Sequence, residues 1–371
     1  MRTWMRLFLL KELKPEFHVK IHLLSGFLGS GKTTAIQSAC RILLDKGIRT
    51  AVITNDQGIR LVDADLFKFL GIPGRQVMNG CFCCNYQDLD RQIQSLEDSI
   101  APEVIFAESV GSCTDIIATV LKPLRLFRQD EKVTLSVFAD ALLLHMLFVD
   151  GNELFDESVS YIYFKQLEES TLLVINKTDL LNPDQLLKLS RILSHKFPDK
   201  ILHYQKSMDN DQVAQWIAIL DRSASVVIPQ SLEMDYQVYG EGEAKLAWLD
   251  QDIEIESADE TAGRGAIRLM QDIHGRIVAG HFPVGHLKFL LNGNEKFSFT
   301  STSGPELILN SVPASSATLL VNARVQTEPE ILSLIVSDSL NALEKQGEFK
   351  VSVRTHSAFQ PGFPRPTHRI E

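Results

Sequence analysis

The 371-residue sequence predicts an α/β domain with a mostly parallel sheet, followed by a smaller α+β domain. The first observation is a series of short apolar runs that alternate with helical patterns, as in βαβ units. The second is a glycine-rich segment at 26–33, placed between the first apolar run and the first helical pattern. The third is a later region in which helices and strands no longer alternate, a mixture typical of α+β domains.

The first domain is expected to cover residues 18–229, and residues 1–17 to form an N-terminal extension. Because connections between neighbouring parallel strands are right-handed crossovers, the alternating pattern predicts parallel βαβ units. The predicted strands of this domain are 18–25, 49–54, 104–107, 134–139 and 171–175. Its predicted helices are 32–46, 86–99 and 183–197, the last with Pro183 in the first turn, where a missing N–H costs nothing.

Residues 230–264 are polar and acidic, and we expect them to form a surface linker anchored at Trp248. The second domain is predicted over 265–355. The tail 356–371 is rich in Pro, His and Arg and is predicted to be flexible. The predicted elements of the second domain are a helix at 266–273, strands at 276–280, 285–291, 296–302 and 317–323, a helix at 329–346 and a strand at 349–354.

The composition excludes some classes of partner. Hydrophobic residues make up 44% and charged residues 23%, values that are ordinary for a soluble globular protein. The formal net charge is −10, so no global basic field would attract nucleic acid or anionic lipid. The apolar patch at 5–10 is short, and no stretch approaches the roughly 20 residues that a membrane-spanning helix needs. We therefore expect a cytoplasmic protein with neither nucleic-acid nor membrane partners.

The segment 26–33, GFLGSGKT, satisfies the pattern G-x-x-x-x-G-K-[ST] and lies between a predicted strand and a predicted helix. Its glycines let backbone N–H groups surround a phosphate, and the helix N-terminus favours the anion. The sequence therefore predicts a P-loop NTPase fold, with Lys32 on the β/γ-phosphates and the Thr33 hydroxyl on Mg²⁺. The predicted nucleotide-binding residues of this loop are Gly26, Gly29, Ser30, Gly31, Lys32, Thr33 and Thr34.

A second motif, Asn176-Lys177-Thr178-Asp179, directly follows the apolar run 171–175. The carboxylate of Asp179 can accept hydrogen bonds from N1–H and N2–H₂ of guanine, a donor pair that adenine lacks. The Lys177 stem can cover the base, and Asn176 can tie this loop to the phosphate loop. The predicted nucleotide is therefore GTP.

Glu108 follows the predicted strand 104–107, at the sheet edge where the phosphate loop is expected. We predict that its carboxylate holds Mg²⁺, the waters of that ion or the attacking water. A solvent-exposed loop acid is the alternative interpretation. Gly111, three residues further on, could donate its N–H to the γ-phosphate.

More acidic residues follow other predicted strands at the same end of the sheet. Asp56 and Asp63 come after the second strand, and Asp140 ends a later strand, where we interpret it as an acid that positions a loop. The predicted catalytic residues are Lys32, Glu108 and Asp56.

Three of the five cysteines, Cys81, Cys83 and Cys84, lie within four residues. A disulfide between neighbouring cysteines would be strained, so the cluster is poorly suited to cross-linking. Thiolates select soft or borderline ions, and Zn²⁺ is the commonest ion in tetrahedral thiolate sites. The sequence therefore predicts a transition-metal site at these cysteines. Cys40 and Cys113 are isolated in sequence and are expected to be small buried hydrophobic residues.

Three cysteines supply at most three ligands, and the remainder could be Asp56, Asp63, a histidine, water or a partner subunit. An incomplete site suits metal transfer, because a closed four-cysteine site would hold its ion too firmly. The alternatives are a redox pair or half of a structural zinc ribbon. No second cysteine cluster is present in the sequence to complete a ribbon.

Together these segments resemble the CobW-type metallochaperone GTPases of the CobW/HypB/UreG nucleotide-binding group. The resemblance implies GTP binding and slow hydrolysis that gate metal loading or release at the cysteines. It also implies delivery of zinc, or alternatively cobalt, to a client metalloprotein or metal-cofactor biosynthesis enzyme, with a homodimer as a further expectation. The matching segments are GFLGSGKTT at 26–34, NDQG at 55–58 with Asp63, GCFCC at 80–84, ESVG at 108–111, NKTD at 176–179, VGHLKFLL at 284–291 and LLVNARV at 319–325.

The sequence departs from this family at two points. The family usually has Asn-Glu-Phe-Gly where this chain has Asn55-Asp56-Gln57-Gly58, so the acid is one methylene shorter. Many members also carry a histidine-rich stretch that is missing here, and His281 and His286 are the candidate auxiliary ligands. A structural or surface role is the commoner one for such histidines. Two other functions remain open: an ATP- or GTP-dependent phosphotransferase, and a regulatory GTPase, each with a structural or redox cysteine cluster.

Overall fold

The computed structural model describes residues 19–56, 58, 62–78, 80–223, 229–304, 307 and 313–371. The predicted N-terminal extension lies outside these residues. The described chain forms a seven-stranded parallel sheet and a five-stranded antiparallel sheet. The predicted fold class, α/β followed by α+β, is therefore confirmed. Among the helices of the described chain, none combines the length and the apolar character that crossing a bilayer requires.

The parallel sheet has the strand order β3-β2-β4-β1-β5-β6-β7. Its strands are β1 (Lys20–Gly26), β2 (Thr50–Asn55), β3 (Gly74–Val77), β4 (Val104–Glu108), β5 (Lys132–Asp140), β6 (Leu172–Asn176) and β7 (Ile201–Gln205). The five strands predicted from apolar runs are β1, β2, β4, β5 and β6, and they occupy the centre of the sheet. The two strands that sequence reasoning missed, β3 and β7, are edge strands that lack a continuous buried run.

Helices cover the parallel sheet, and the three predicted helices correspond to the first, third and seventh. α7 begins as predicted, with Pro183 in its first turn and a capping box between Asn182 and Gln185. The helices are α1 (Lys32–Asp45), α2 (Val62–Phe69), α3 (Tyr86–Ile100), α4 (Lys122–Phe127, continuing a π-helical turn at Ile117–Leu121), α5 (Ala141–Phe148), α6 (Glu157–Glu169), α7 (Pro183–Lys196) and α8 (Asn210–Ser223).

The antiparallel sheet has the order β10-β9-β11-β8-β12. Helices α10 and α11 pack on it, and Leu269, Phe289 and Val336 lie in the buried core of this layer pair. The elements of this part of the chain are α9 (Tyr236–Ala244), β8 (Leu246–Ser257), α10 (Ala262–Ala279), β9 (Val284–Leu291), β10 (Glu295–Phe299), β11 (Ser316–Gln326), α11 (Pro329–Glu344) and β12 (Phe349–Phe359).

The prediction of an acidic surface linker at 230–264 is wrong. β8 pairs with both β11 and β12, and Trp248 is fully buried. The acidic residues of this strand alternate with Ile253 and Ile255, which face the core. Alternation of polar and apolar residues is typical of a β-strand with one buried face. The high density of acidic residues in this segment led to the prediction of a linker instead.

Two further predictions in the second domain are wrong. The strand predicted at 276–280 is the last turn of α10, which is longer than expected because its apolar positions recur at helical spacing up to Ile277. The tail is not flexible throughout, since β12 continues to Phe359. Beyond it, Thr367 N–H donates to Cys83 O at 2.8 Å and Ile370 N–H donates to Ala118 O at 2.9 Å.

Candidate functional site

The phosphate loop joins β1 to α1. Gly31 precedes the helix with φ of 89°, and a Cβ there would lie 2.2 Å from Nδ2 of Asn176, so only glycine fits. The ammonium of Lys32 donates to the carbonyl oxygens of Gly26 at 2.6 Å and Phe27 at 3.3 Å. Burial lowers the pKa of Lys32 to about 8, while Glu108 opposes that shift. The loop thus holds a buried cation at the N-terminus of a helix.

Thr33, in the first turn of α1, and Glu108, the last residue of β4, are in direct contact beside the phosphate loop. Thr33 Oγ1 donates to Glu108 Oε1 at 2.9 Å. Glu108 Oε2 is buried and finds no hydrogen-bond partner among the described residues. Burial, and then Asp63, raise the pKa of Glu108 above its ordinary value. A carboxylate oxygen without a partner beside a threonine hydroxyl fits a hard divalent cation such as Mg²⁺.

The phosphate loop opens into a cavity of about 520 Å³. The buried hydroxyls of Ser30 and Thr54 line this cavity and have no hydrogen-bond partner among the described residues. Every predicted nucleotide residue except Gly26 lines the cavity as well: Gly29, Ser30, Gly31, Lys32, Thr33, Thr34, Gly111, Asn176, Lys177 and Asp179. The cavity has the size and the polar groups expected for a nucleotide site.

The base motif follows β6 and is tied to the phosphate loop. Asn176 Nδ2 donates to Ser30 O at 2.8 Å, the link that the sequence predicts. Lys177 has φ of 60°, and its ammonium donates to Asp140 Oδ2 at 2.8 Å. Asp179 is half-exposed and lies 3.7 Å from the ammonium of Lys206, so its oxygens remain accessible from the cavity.

Sequence reasoning missed Lys206 and Ser207, which follow the edge strand β7. Ser207 Oγ donates to Asn176 Oδ1 at 2.7 Å and so fixes the orientation of that amide. No apolar run marks β7, which explains why nothing in the sequence pointed to this loop. Asp140 positions a loop, as interpreted from the sequence: it caps α5 and accepts hydrogen bonds from Lys177 and Thr302.

The second domain lines the same cavity with two lysines. The ammonium groups of Lys288 and Lys296 each lie 2.6 Å from a carboxylate oxygen of Asp63. Burial alone would raise the pKa of Asp63, but these two cations outweigh it and hold the pKa well below its ordinary value. Both lysines escaped sequence reasoning, because they come from the other domain and no local motif marks them. His286, a predicted auxiliary metal ligand, also lines this cavity.

The predicted metal ligands Cys81, Cys83 and Cys84 converge after β3. Their sulfur atoms lie within 4.8 Å of one another, with Cys81 and Cys84 3.3 Å apart and Cys83 and Cys84 3.7 Å apart. Cys81 and Cys83 are buried, and Cys84 is partly exposed. These spacings suit three ligands of one metal ion, because sulfur atoms bound to tetrahedral Zn²⁺ are about 3.8 Å apart.

The predicted ligands Asp56 and Asp63 do not join these thiols in the described structure, where the metal-compatible group contains the three cysteines alone. Asp63 is held by its two lysines, and Asp56 Oδ1 lies 2.9 Å from a guanidinium nitrogen of Arg324. His281 is exposed in the turn after α10. The structure thus separates the predicted acidic ligands from the predicted sulfur ligands.

One side chain connects the two sites. Asn55, the last residue of β2, lines the nucleotide cavity. Its Nδ2 donates to Gly80 O at 2.7 Å, and its Oδ1 accepts from the N–H of Phe82 at 2.8 Å. The backbone that carries the thiols is therefore attached to a strand end that faces the nucleotide.

A family model described as the CobW/HypB/UreG nucleotide-binding domain matches residues 20–202. The first domain of this chain belongs to that family. Two curated relatives show how far the similarity extends. The zinc chaperone CobW of Sinorhizobium sp is 28% identical over 192 residues, which are 44% of this chain and 52% of the relative. The zinc-regulated GTPase metalloprotein activator 1 of Schizosaccharomyces pombe is 31% identical over 180 residues, 45% of this chain and 41% of the relative.

The chain thus spans about half the length of the curated relatives it matches. Among solved structures, HypB of Helicobacter pylori in complex with nickel is 15% identical with a TM-score of 0.43. That likeness covers 59% of this chain and 93% of HypB.

The residues after β12 pass over residues 80–84, here called the thiol loop, of this CobW/HypB/UreG domain. Thr367 Oγ1 donates to Cys84 O at 2.9 Å, and the N–H of Arg365 donates to Cys84 Sγ at 3.2 Å. The guanidinium of Arg369 lies 2.9 Å from Asp115 Oδ2 and anchors the end of the segment. Residues 360–371, here called the C-terminal strap, therefore cover one side of the thiol cluster.

Deleting the C-terminal strap is expected to raise the alkylation rate of Cys84 several-fold. Hydrogen bonding with Cys81 raises the pKa of Cys84 to about 11, whereas the N–H of Arg365 in the strap lowers it. Deletion of the strap removes that N–H and would by itself slow alkylation, so a faster rate reports the gain in access of the reagent to the sulfur. Iodoacetamide labelling followed by peptide mass spectrometry measures this rate. Cys40 lies in a separate buried cluster and is the internal control. An unchanged Cys84 rate in the deletion variant would contradict a covering role for the strap.

Proposed function

We propose that this chain is a GTP-binding and GTP-hydrolysing metallochaperone that couples its nucleotide state to transition-metal binding and delivery. The observation that carries the proposal is the double hydrogen bond of Asn55, which lines the nucleotide cavity and holds the thiol loop on both sides of Cys81. A shift of this strand end on nucleotide exchange would move the thiols as well. Coupling of this kind requires two sites that share a movable element.

For the nucleotide, the proposed contacts follow from the cavity. Asp179 accepts hydrogen bonds from guanine, and the Lys177 stem covers the face of the base. Asn176 holds the base motif against the phosphate loop through its hydrogen bond to Ser30 O. Lys32 leaves its two carbonyl partners to bind phosphate oxygens, because a charge-assisted hydrogen bond to phosphate is stronger.

For hydrolysis, Thr33 and Glu108 form the proposed cation site, and the N–H of Gly111 faces the γ-phosphate. Mg²⁺ bound there supplies positive charge to the β- and γ-phosphate oxygens. The second carboxylate oxygen of Glu108 has no hydrogen-bond partner among the described residues, and it can orient a water molecule.

The transition metal is the cargo, and we propose zinc, with cobalt as the alternative. Thiolates favour both ions over Mg²⁺ and Ca²⁺, and geometry and availability choose between them. The relatives named zinc chaperone and metalloprotein activator support delivery to a client metalloprotein or a metal-cofactor biosynthesis enzyme. All five cysteines are free, which fits a reducing cytoplasm. A homodimer is part of the same proposal.

The experiment is a zinc titration of the full chain in its two nucleotide states. Zinc affinity, measured by competition with a chromophoric chelator, is expected to differ at least about tenfold between the GDP-bound chain and the chain bound to a non-hydrolysable GTP analogue. That difference corresponds to about 1.4 kcal/mol of coupling. The variant Lys32→Met, which removes the phosphate-binding ammonium, is expected to show one affinity under both conditions. Equal zinc affinities in the two states of the unsubstituted chain would count against the proposal.

A further inference from the structure

The second domain packs directly on the phosphate loop. A Cβ at Gly29 of that loop would lie 2.4 Å from Cγ2 of Thr300 and 2.8 Å from the carbonyl oxygen of Gly285. In the same segment after β10, Ser303 Oγ accepts a hydrogen bond from the ammonium of Lys177 at 3.4 Å. The second domain therefore contributes one wall of the nucleotide cavity, which consists of β9, β10 and the segment after β10.

Two lysines lie on this wall, Lys288 of β9 and Lys296 of β10, and both line the cavity together with Lys32 and Glu108. Their ammonium groups share the carboxylate of Asp63, at 2.6 Å each, and each lysine side chain is only 15% exposed. Among the described residues Asp63 is the acid that pairs with them, so it balances one of the two positive charges. Because charges withdrawn from water are normally paired, this arrangement favours an anionic ligand in the cavity.

The lysines remain charged in this environment. Burial alone would lower the pKa of Lys288, but Asp63 and then Glu108 outweigh it and hold the pKa above its ordinary value. An ammonium that stays protonated at neutral pH can donate three hydrogen bonds to the oxygens of an anion.

The strand order of the parallel sheet places these lysines at one end of a bound nucleotide. The base motif follows β6, the phosphate loop follows β1, Glu108 ends β4, and Asp63 comes after β2. In the sheet these strands have the order β2-β4-β1-β5-β6. Since neighbouring strands are about 4.8 Å apart, the ends of β6 and β2 each lie roughly 10 Å from the end of β1, on opposite sides. A nucleotide with its base at β6 and its phosphates on the loop therefore has its terminal phosphate towards β2.

We propose that Lys288 and Lys296 bind the γ-phosphate of GTP, and that they exchange Asp63 for this phosphate when the nucleotide enters. The inference rests on the proposed GTP-binding function, and it assigns recognition of the terminal phosphate to the second domain. Hydrogen bonds between charged groups are roughly twice as strong as neutral ones, so the contact is a strong one. GDP has no γ-phosphate and leaves both lysines on Asp63. The lysine pair thus distinguishes GTP from GDP.

The position of Asp63 connects this exchange to the metal site. Asp63 lies in the first turn of α2, eight residues after Asn55, whose side chain holds the thiol loop. Without the γ-phosphate, the two ammonium groups attach the start of α2 to the second domain. GTP binding removes that attachment close in sequence to the side chain that holds the thiols.

The competing interpretation is a purely structural ion pair between two parts of the fold. Such a pair is available for comparison in Lys245 and Asp156, which join the segment before β8 to the start of α6 at the same distance of 2.6 Å. Both residues lie outside the described lining of the nucleotide cavity. Lys245→Met is therefore the matched control, because it removes an ion pair of this length without changing the cavity.

The test compares the affinities of the full chain for GDP and for a non-hydrolysable GTP analogue, each measured by competition with a fluorescent GDP analogue in the presence of Mg²⁺. A hydrogen bond between charged groups contributes enough to binding that Lys288→Met and Lys296→Met are each expected to lower the affinity for the GTP analogue at least about tenfold. Their affinity for GDP should stay that of the unsubstituted chain. Lys245→Met should change neither affinity.

Equal losses of affinity for GDP and for the GTP analogue would identify the lysines as a structural link and overturn the inference. An unchanged affinity for the GTP analogue in either lysine variant would overturn it as well. If Lys288→Met does not fold, Lys296→Met decides alone, since Lys296 lies on the edge strand β10. In these cases the unsubstituted chain still binds GTP and the proposed function stands. An unsubstituted chain that binds neither nucleotide would overturn the proposed function itself.

Discussion

Replacing Asp179 with alanine is expected to remove most of the preference of this chain for GTP over ATP. Among the residues of the base motif, Asp179 has the carboxylate oxygens that can accept from both guanine donors, and those oxygens are accessible from the cavity. A site built to pair with a substrate donor rejects an analogue that lacks it by about 10⁴–10⁵-fold. Competition of unlabelled GTP and ATP against a fluorescent GDP analogue measures the ratio of the two affinities before and after the substitution.

The matched control is Asp184→Ala, which removes an exposed acid from the first turn of α7 a few residues away. Its GTP-to-ATP ratio should equal that of the unsubstituted chain. A small ratio in the unsubstituted chain, or one that Asp179→Ala leaves unchanged, would contradict guanine recognition by this motif. The first of these outcomes would favour an ATP-dependent phosphotransferase instead.

The parallel domain was predictable because its signals are local. Each central strand is a continuous apolar run that needs no knowledge of its neighbours, and the phosphate loop and the base motif are contiguous segments. The second domain carries weaker signals. β8 alternates acidic and apolar residues, and the alternation reveals a buried strand only when the helix layer that covers one face is known.

The candidate site was predictable to the same extent. The structure brings Lys32, Thr33 and Glu108 together as their positions after the strands predict. It also brings in Lys288, whose position depends on how the second domain packs against the first. The partners of an ionisable residue cannot be read from sequence when they lie on another domain.

Several ionic and polar contacts between the domains converge on the end of β2, beside an apolar cluster of Val62, Leu66, Leu290 and Leu320. Besides the lysine pair on Asp63, the N–H of Val62 donates to Asn322 Oδ1 at 2.8 Å. Arg324 of β11 lies beside Asn322 in sequence and reaches Asp56 of the first domain at 2.9 Å. Because Asp56 directly follows Asn55, the second domain holds the same backbone that connects the nucleotide cavity to the thiols.

Arg324 is fully buried between Asp56 and Asp250, each 2.9 Å from its guanidinium, and it stacks on Trp248 with 3.8 Å to the ring centre. Substituting Arg324 with methionine keeps much of the packing but leaves two acids without their common cation. Removing one partner of a buried ion pair costs about 3–5 kcal/mol, and we expect the free energy of unfolding to fall by that amount.

The control for this substitution is Arg354→Met, where an exposed guanidinium pairs with Glu254 at 2.9 Å. Exposed pairs contribute at most about 1 kcal/mol, so this variant should unfold close to the unsubstituted chain. Urea-induced unfolding followed by circular dichroism gives both values, with separate transitions fitted separately if the two domains unfold in turn. Equal losses in the two variants would contradict a structural role for the buried network.

The pH dependence of the Arg324→Met variant distinguishes a lost ion pair from lost packing. Burial raises the pKa of Asp250, and Arg324 opposes that rise. Without the guanidinium, the pKa of Asp250 in the folded chain rises further. In the unfolded chain Asp250 is an ordinary aspartate and loses its proton above about pH 4, so the folded variant binds a proton that the unfolded chain has released. Stability gained from that proton is complete at low pH and is lost as pH increases through the raised pKa. The deficit relative to the unsubstituted chain should therefore grow from pH 5 to pH 8, whereas a packing defect would give the same deficit at both.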